Sequence, residues 1–386
     1  MKIYKAYKFR MYPNLEQQIK LNQNMGASRF IYNLFLEKKT RMYKEHNINL
    51  ALKDMKGELP NLYSSYKWLN DVDKTLLRTS LEDLDRAFTN YYEKRSSYPK
   101  FKCKNNNDSY RTNCIYGSYY GNNYTNIKVN LDNRTIKLPK ITSIKIKGYR
   151  KLNEFNKKIL SASISKEGNK YYVSVLVEEI IIEKEYTLNS AIGIDIGIKN
   201  IVTTSDGEKY EPMINIKRLE KKLKGLNKWL SRTKKGSKNR IKVINKINRV
   251  YQKIRNIRKY YIHKVTSKLV RENDLIVIEN LQVKSMIENS NKRLTKLLTH
   301  SCFYEIIRQI KYKCKWNYKK IIQISEYYAS SQICTHCGYK NEKLKDLNVR
   351  SWECPNCKNE NDRDYNASIN ILNEGIIKYY KEQYAK

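Results

Sequence analysis

Long apolar runs are missing from this sequence. No stretch of its 386 residues approaches the 18 apolar positions of a membrane span, and the opening MKIYKAYKFRMYPN has no apolar core of the secretory kind. A cytoplasmic protein with no membrane partner is expected. Acidic side chains are scarce, 38 against 77 Lys and Arg, which leaves a formal charge of +39. Such a field hinders compaction unless a polyanion neutralises it. Histidine is rarer still. His46, His263, His300 and His336 form no His-x-His pair, which excludes a metal-dependent tyrosine transposase. Eight cysteines in a reducing compartment read as thiols or metal ligands rather than disulfides.

What is present points to a globular nucleic-acid-binding protein. Apolar residues make up 40%, enough for a core, and the length accommodates two or three domains. The 33 Tyr residues interleaved with cations suit stacked bases and phosphates. Heavy use of Lys, Asn, Ile and Tyr also follows from an AT-rich genome, which accounts for part of the charge without any partner.

Residues 2–12 are β-prone, and Pro13-Asn14 ends them. NLEQ (14–17) has the form of a helix start, with Asn14 as N-cap and Gln17 reaching back. Leu77, Leu81, Leu84, Phe88 and Tyr91 recur at helical steps, so 14–96 reads as a mainly helical module that Pro99 closes. Residues 103–126, rich in Asn, Ser, Gly and Tyr without a period, read as a long loop. Two hairpins follow, one turning at Asp132-Asn133 and one near Gly168. The first 190 residues are thus expected to form a small β-barrel (1–13 and 97–190) interrupted by a helical insertion (14–96). Lys217–Lys264 carries 19 Lys or Arg and the single acid Glu220. Leu219, Leu223, Leu226 and Leu230, then Val243, Ile247, Val250, Ile254, Ile257 and Tyr261, give each half an apolar seam, with TKKGSKNR (233–240) between them. That predicts an antiparallel helical hairpin (217–264) with a phosphate-facing exterior. An ordinary solvated helical face is the plainer alternative, and the 19-to-1 imbalance disfavours it.

Chemistry is carried by two constellations. Cys334 and Cys337, then Cys354 and Cys357, form two C-x2-C pairs with 16 residues between them, a spacing that closes a tetrahedron around structural Zn2+. His336 reads as a turn residue rather than a fifth ligand, and Cys103, Cys114, Cys302 and Cys314 as ordinary thiols. The second constellation is acidic. Asp195 interrupts the apolar AIGIDIGIKN, read as a strand reaching Gly197, with a return strand ending at Asp206-Gly207. Glu279 ends the β-branched run of DLIVIENL, and Asp362 and Asp364 precede a helix bearing Ile369, Ile371 and Leu372. Any one of these acids has a plain explanation, as a strand-end carboxylate or a helix N-terminal acid. Three converging carboxylates repel one another unless divalent cations lie between them. Oxygen ligands select Mg2+ or Mn2+, whose paired ions about 4 Å apart serve phosphodiester hydrolysis.

GIDIGIKN, IVIENL and DRDYNASIN, with the cysteine module inserted before the third, resemble the three segments of a RuvC-like nuclease as found in the TnpB family of bacterial insertion sequences, relatives of compact type V CRISPR effectors. The resemblance runs almost end to end, through KAYKFRMYPNLEQQ, LSRTKKGSKNR and SSQICTHCG. It implies a multidomain α+β and α/β protein. A wedge β-barrel with a helical recognition insertion (1–190) would precede an RNase H-like nuclease domain (191–386) carrying a zinc ribbon at about 330–360. It also implies RNA-guided cleavage of double-stranded DNA beside a short transposon-adjacent motif, with a guide RNA from the transposon end and a transposase encoded separately. Asp195, Glu279 and Asp364 take the catalytic, Mg2+-binding positions, Asp364 rather than Asp362 because the family's acid precedes x-Asn-Ala. Lys358 stands where the family usually has Gly, which bears on the shape of the second knuckle. A guided repressor without cleavage and an acid-trio transposase are the other functions the residues admit.

Overall fold

In the computed structural model, which describes all residues except 105–107, 120–121, 149–157, 182–185, 214–215, 347–348 and 385–386, strand β1 (Lys2–Tyr12) shows the alternation of a strand with one buried face. Ile3, Tyr7, Phe9 and Met11 are buried while Tyr4 and Tyr12 are exposed. The chain divides into two compact units, Met1–Ile182 and Glu183–Lys386.

In the first unit, Asn14 and Gln17 form the expected capping box at the start of α1 (Leu15–His46), each side chain accepting from the other's backbone N–H at 2.8 and 3.0 Å. Short helices α2 (Leu52–Gly57) and α3 (Leu59–Ser65) lead to α4 (Lys74–Tyr92). Leu77, Leu81, Leu84 and Phe88 of α4 enter the same core as Leu21, Met25, Ile31 and Phe35 of α1. Tyr91, the last member of the predicted series, is instead exposed and sits edge-on to Tyr98, because the helix ends one residue later, beyond the core it packs on.

Residues 103–126 are not a loop throughout. They contain β2 (Ser109–Asn113) and the hairpin β3 (Tyr116–Tyr119)–β4 (Asn122–Thr125). The strand escaped the sequence pattern because only Tyr110 and Thr112 face inward, too few to establish a period. Strands β5 (Lys128–Asn130) and β6 (Thr135–Leu138) form the hairpin around Asp132-Asn133, and β7 (Ile141–Lys147) follows. Strands β8 (Lys158–Glu167) and β9 (Lys170–Ile180) turn at Gly168, whose φ of +60° is one that glycine adopts without strain. Together the strands make a seven-stranded sheet, β2-β8-β9-β1-β7-β6-β5, with β1 paired to β9 from Lys2↔Ile180 to Met11↔Tyr171.

The second unit is built on a five-stranded mixed sheet, β12-β11-β10-β13-β14. Here β10 is Ala191–Asp195, β11 Val202–Thr204, β12 Lys209–Tyr210, β13 Leu275–Glu279 and β14 Lys320–Ile324. Strands β10, β13 and β14 are parallel, and β11 and β12 return antiparallel. Leu275 through Ile278 are wholly buried, as expected of a parallel strand covered on both faces.

Helices α5 (Ile216–Ser231) and α6 (Lys238–Glu272) form the basic hairpin, with Leu226, Val243, Ile247, Val250 and Ile254 in its seam. The second helix does not stop at Lys264. It runs to Glu272 because Ile262, Val265 and Leu269 continue the apolar spacing into a different core, under Ile192, Ile194, Ile276 and Ile278 of the sheet. Helices α7 (Val283–Glu288), α8 (Lys292–Ser301) and α9 (Phe303–Trp316) follow β13, and α9 joins that core through Phe303, Ile306 and Ile310. After β14 comes the cysteine module, with the two-stranded β15 (Ser351–Glu353)–β16 (Glu360–Asp362), and then α10 (Arg363–Tyr384).

Helix α10 covers the opposite face of the sheet through Ile371 and Tyr379. Two glycines let it approach. A Cβ on Gly193 of β10 would lie 2.1 Å from the Ser368 carbonyl oxygen, and one on Gly375 of α10 would lie 2.2 Å from Val277 Cγ1. Among the described residues no helix is long and apolar enough to cross a membrane.

Candidate active site and metal centre

The register that pairs Ile194 with Ile278 puts Asp195 and Glu279 side by side at the C-terminal ends of adjacent parallel strands. Asp364 arrives from the other direction, in the first turn of α10. It lies inside the helix rather than before it, since the helix begins at Arg363 and only Asp362 precedes it. Asp195 keeps a partial opening to solvent. Even so, burial, then the Glu279 and Asp364 carboxylates, push its pKa well above the ordinary carboxylate range, against relief from Arg363 and Arg350. Burial raises Glu279 as well, opposed by a hydrogen bond from the Ser330 hydroxyl.

Asp362 has a different environment. One of its oxygens accepts from the Tyr365 N–H at 3.0 Å and the other pairs with Lys209 at 2.8 Å. Burial raises its pKa, but Lys209 and the Tyr365 amide outweigh burial and hold it below the ordinary value. It is a helix-capping, ion-paired acid, whereas Asp364 contributes to the field at Asp195.

The sequence reading gave no role of their own to Arg350, Ser330, Asn366 or Asn370. Arg350, from the cysteine module, pairs with Asp364 at 3.2 Å, and its carbonyl accepts from the Arg363 N–H at 2.8 Å. Buried Arg363 donates to the carbonyls of Asp346 at 2.6 Å and Val349 at 3.3 Å. Buried Asn366 and Asn370 of α10 both donate to the Ile333 carbonyl, at 2.7 and 2.6 Å. None of these residues lies in a spacing that betrays it. Arg363, Asn366 and Asn370 together make the start of α10 a buried polar face.

The four cysteines converge. The sulfurs of Cys334 and Cys357 lie 3.7 Å apart, those of Cys337 and Cys354 3.6 Å, and all four fall within 4.8 Å of one another, a set that could hold one metal ion. Separations near 3.7 Å match thiolates placed about 2.3 Å from a tetrahedral Zn2+. Among the described residues no other group of three or more His, Cys, Asp or Glu is so compact. His336 is exposed and outside the set. Cys114 and Cys314 pack in the two cores.

Each pair sits on a tight turn. The Gly338 N–H donates to the Cys334 carbonyl and the Lys358 N–H to that of Cys354, both at 2.9 Å. The residue after each second cysteine is left-handed, with φ +74° at Gly338 and +62° at Lys358. The second knuckle therefore keeps the shape of the first despite its lysine, which bears the strain of that conformation. Lys358→Gly is expected to be neutral to stabilising by up to about 1 kcal/mol, since relief of strain exceeds the added chain entropy. Chemical denaturation of the zinc-loaded protein checks this.

Three family models match the chain. One described as "Probable transposase", of the OrfB IS605 type, covers 172–290; "Cas12f1-like, TNB domain" covers 303–371; and a helix-turn-helix domain of OrfB IS605 covers 1–47. In this structure the last segment is strand β1 and the single helix α1. A Streptomyces pristinaespiralis protein named "Putative RNA-guided DNA endonuclease" is 31% identical over 376 residues, 96% of this chain and 89% of its own length. Escherichia coli K12 has a similar protein, "Putative RNA-guided DNA endonuclease InsQ", 30% identical over 97% of this chain and 93% of its own. Among solved structures, the chain in "Cryo-EM structure of the Cas12f1-sgRNA-target DNA complex" superposes with a TM-score of 0.55 at 14% identity, covering 96% of this chain and 99% of that one. At that identity the likeness is one of fold.

Proposed function

We infer that this chain, which belongs to the TnpB family of insertion-sequence proteins, is an RNA-guided DNA endonuclease that cuts double-stranded DNA beside a short adjacent motif. The observation that carries this reading is the meeting of Asp195, Glu279 and Asp364 from β10, β13 and α10, close enough for the other two carboxylates to raise the pKa of Asp195. The mixed five-stranded sheet with α10 packed across it supports an RNase H-like domain. The seven-stranded sheet with α1–α4 inserted between β1 and β2 supports a wedge-type barrel carrying a recognition insertion.

Like-charged carboxylates gathered in a partly buried place fit divalent cations, which relieve their repulsion. Asp195, Glu279 and Asp364 would hold Mg2+ or Mn2+, and the cysteine tetrad Zn2+. When bound, the divalent ions supply activation of water and stabilisation of the leaving oxygen. The chain itself orients the site. Glycines 193 and 375 seat α10 on the sheet, Ser330 holds Glu279, and Arg350 partners Asp364 where an incoming phosphate also needs a cation. Basic surfaces such as the α5–α6 hairpin would hold a structured RNA by its backbone, leaving sequence to base pairing. The guide would come from the element's own end, the transposase from a separate gene, and the work would be done in the cytoplasm.

The test is to express the protein from its native locus and sequence the RNA that copurifies. One discrete structured RNA ending in a variable segment from the element boundary is expected. Heterogeneous RNA that washes off with salt, together with RNA-independent binding to transposon-end DNA, would replace this reading with a transposase.

A further inference from the structure

Glu279 is the longest of the three acids, with one more rotatable bond than either aspartate, so its carboxylate most needs an external hold. That hold is the Ser330 hydroxyl, which donates to Glu279 Oε1. Ser330 is 5% exposed, and its own position is fixed from behind. Its carbonyl accepts from Asn370 Nδ2 at 2.8 Å, and the same amide nitrogen donates to the Ile333 carbonyl at 2.6 Å, one residue before Cys334. Asn366 adds a second clamp. Its Nδ2 donates to the Ile333 carbonyl at 2.7 Å, and its Oδ1 accepts from the Thr335 N–H at 3.1 Å, inside the first knuckle. The segment from Ser330 to Thr335 is therefore pinned to α10, the helix that carries Asp364, and runs into the first of the two turns that bear the cysteine tetrad. A buried serine with only a packing role satisfies its hydroxyl on a nearby carbonyl. This one is spent on an ionisable carboxylate, where the hydrogen bond is charge-assisted and directional.

We propose that Ser330 is a positioning residue through which the zinc knuckle fixes the reach of the Glu279 carboxylate toward a divalent cation. This rests on the reading of Asp195, Glu279 and Asp364 as the cleavage site. The module is then part of the active site's scaffold, tied to one acid by a side chain and to another by Arg350.

The experiment compares wild type, Ser330→Ala and Ser330→Thr as guide-RNA complexes. Single-turnover cleavage is measured beside a readout that needs no cleavage of DNA. In the latter, Fe2+ with ascorbate and peroxide cuts the polypeptide next to the bound ion, and the fragments ending near 195 and 279 are quantified against Fe2+ concentration. Removing a side chain that orients a metal ligand costs on the order of 10–100-fold in metal affinity or activity. Ser330→Ala is expected to slow cleavage at least about ten-fold and to need several-fold more Fe2+ for the same fragments, with target affinity and one Zn2+ per chain retained. Ser330→Thr, which keeps the hydroxyl, should restore both. An alanine variant equal to wild type in both readouts would overturn the proposal. So would a threonine variant that folds with full zinc yet behaves like alanine, or a loss in alanine that tracks loss of zinc. If Asp195→Asn still cuts DNA, the cleavage-site reading itself is wrong. If Asp195→Asn is dead while Ser330→Ala is unaltered, only this inference fails.

Discussion

Asp195→Asn is expected to lower DNA cleavage by roughly 10^3-fold or more while leaving guide and target binding intact. The amide keeps the shape of the carboxylate and removes the charge that a divalent cation needs, at the strand end where Glu279 and Asp364 approach. Asp362→Asn is the matched control. Its ion pair with Lys209 is at the surface, where such pairs contribute at most about 1 kcal/mol, and its capping oxygen survives the change, so cleavage should stay within a few-fold of wild type.

The same Asp195→Asn substitution should make the protein more stable without divalent ions. A carboxyl whose folded pKa is raised holds its proton to higher pH than in the unfolded chain. Stability is then greatest below the ordinary carboxylate pKa and falls as pH rises through the elevated value. An amide at this position does not titrate, so the variant would lose the Asp195 share of that fall and keep only what buried Glu279 contributes. In Mg2+-free buffer the variant should melt above wild type at pH 8, with the gap closing near pH 4. A variant that melts lower at pH 8 and still cuts DNA would remove Asp195 from the site.

Gly193→Ala should destabilise the second unit by about 3 kcal/mol or more, and it should impair cleavage even where the protein still folds. The added methyl would meet the Ser368 carbonyl oxygen at 2.1 Å and the Leu372 nitrogen at 2.7 Å. These are backbone atoms of a helix, so no rotamer change relieves the clash. Either β10 or α10 must shift, and each carries one of the acids. Gly225, on α5, has nothing within 4 Å of its would-be Cβ, so Gly225→Ala should be neutral to mildly stabilising through helix propensity. Thermal melts of the two alanine variants measure the contrast directly.

How much of this was legible in the sequence follows from the physics of each element. Asp195 and Glu279 stood out because a charge at the end of a β-branched apolar run is conspicuous, and the cysteines because two equal spacings are. The capping box at Asn14 and Gln17 and the Gly168 turn are local features, and they form as local rules require. Strand β2 was hidden because a two-residue inward face leaves no period, and the true end of α6 because charge count masked apolar spacing that serves a second core. Arg350, Ser330, Asn366 and Asn370 were invisible for a different reason. Their roles depend on which backbone folds against α10, and nothing in their neighbours' chemistry announces that. Asp364 was preferred to Asp362 on the family resemblance alone, and the physical difference between them, the Lys209 partner of Asp362, lies in the fold.

The most direct test of the central claim is reprogramming. The variable end of the copurifying RNA is replaced by about 20 nucleotides of arbitrary sequence, the length of a guide–target heteroduplex, and the complex is given Mg2+ and a plasmid library. In that library a matching target is flanked by randomised bases. Double-strand breaks confined to the new target, beside a short enriched motif and absent with Asp195→Asn, are the predicted result. Cutting that ignores the guide, or tight guide-directed binding with intact plasmid at every motif, would contradict the account.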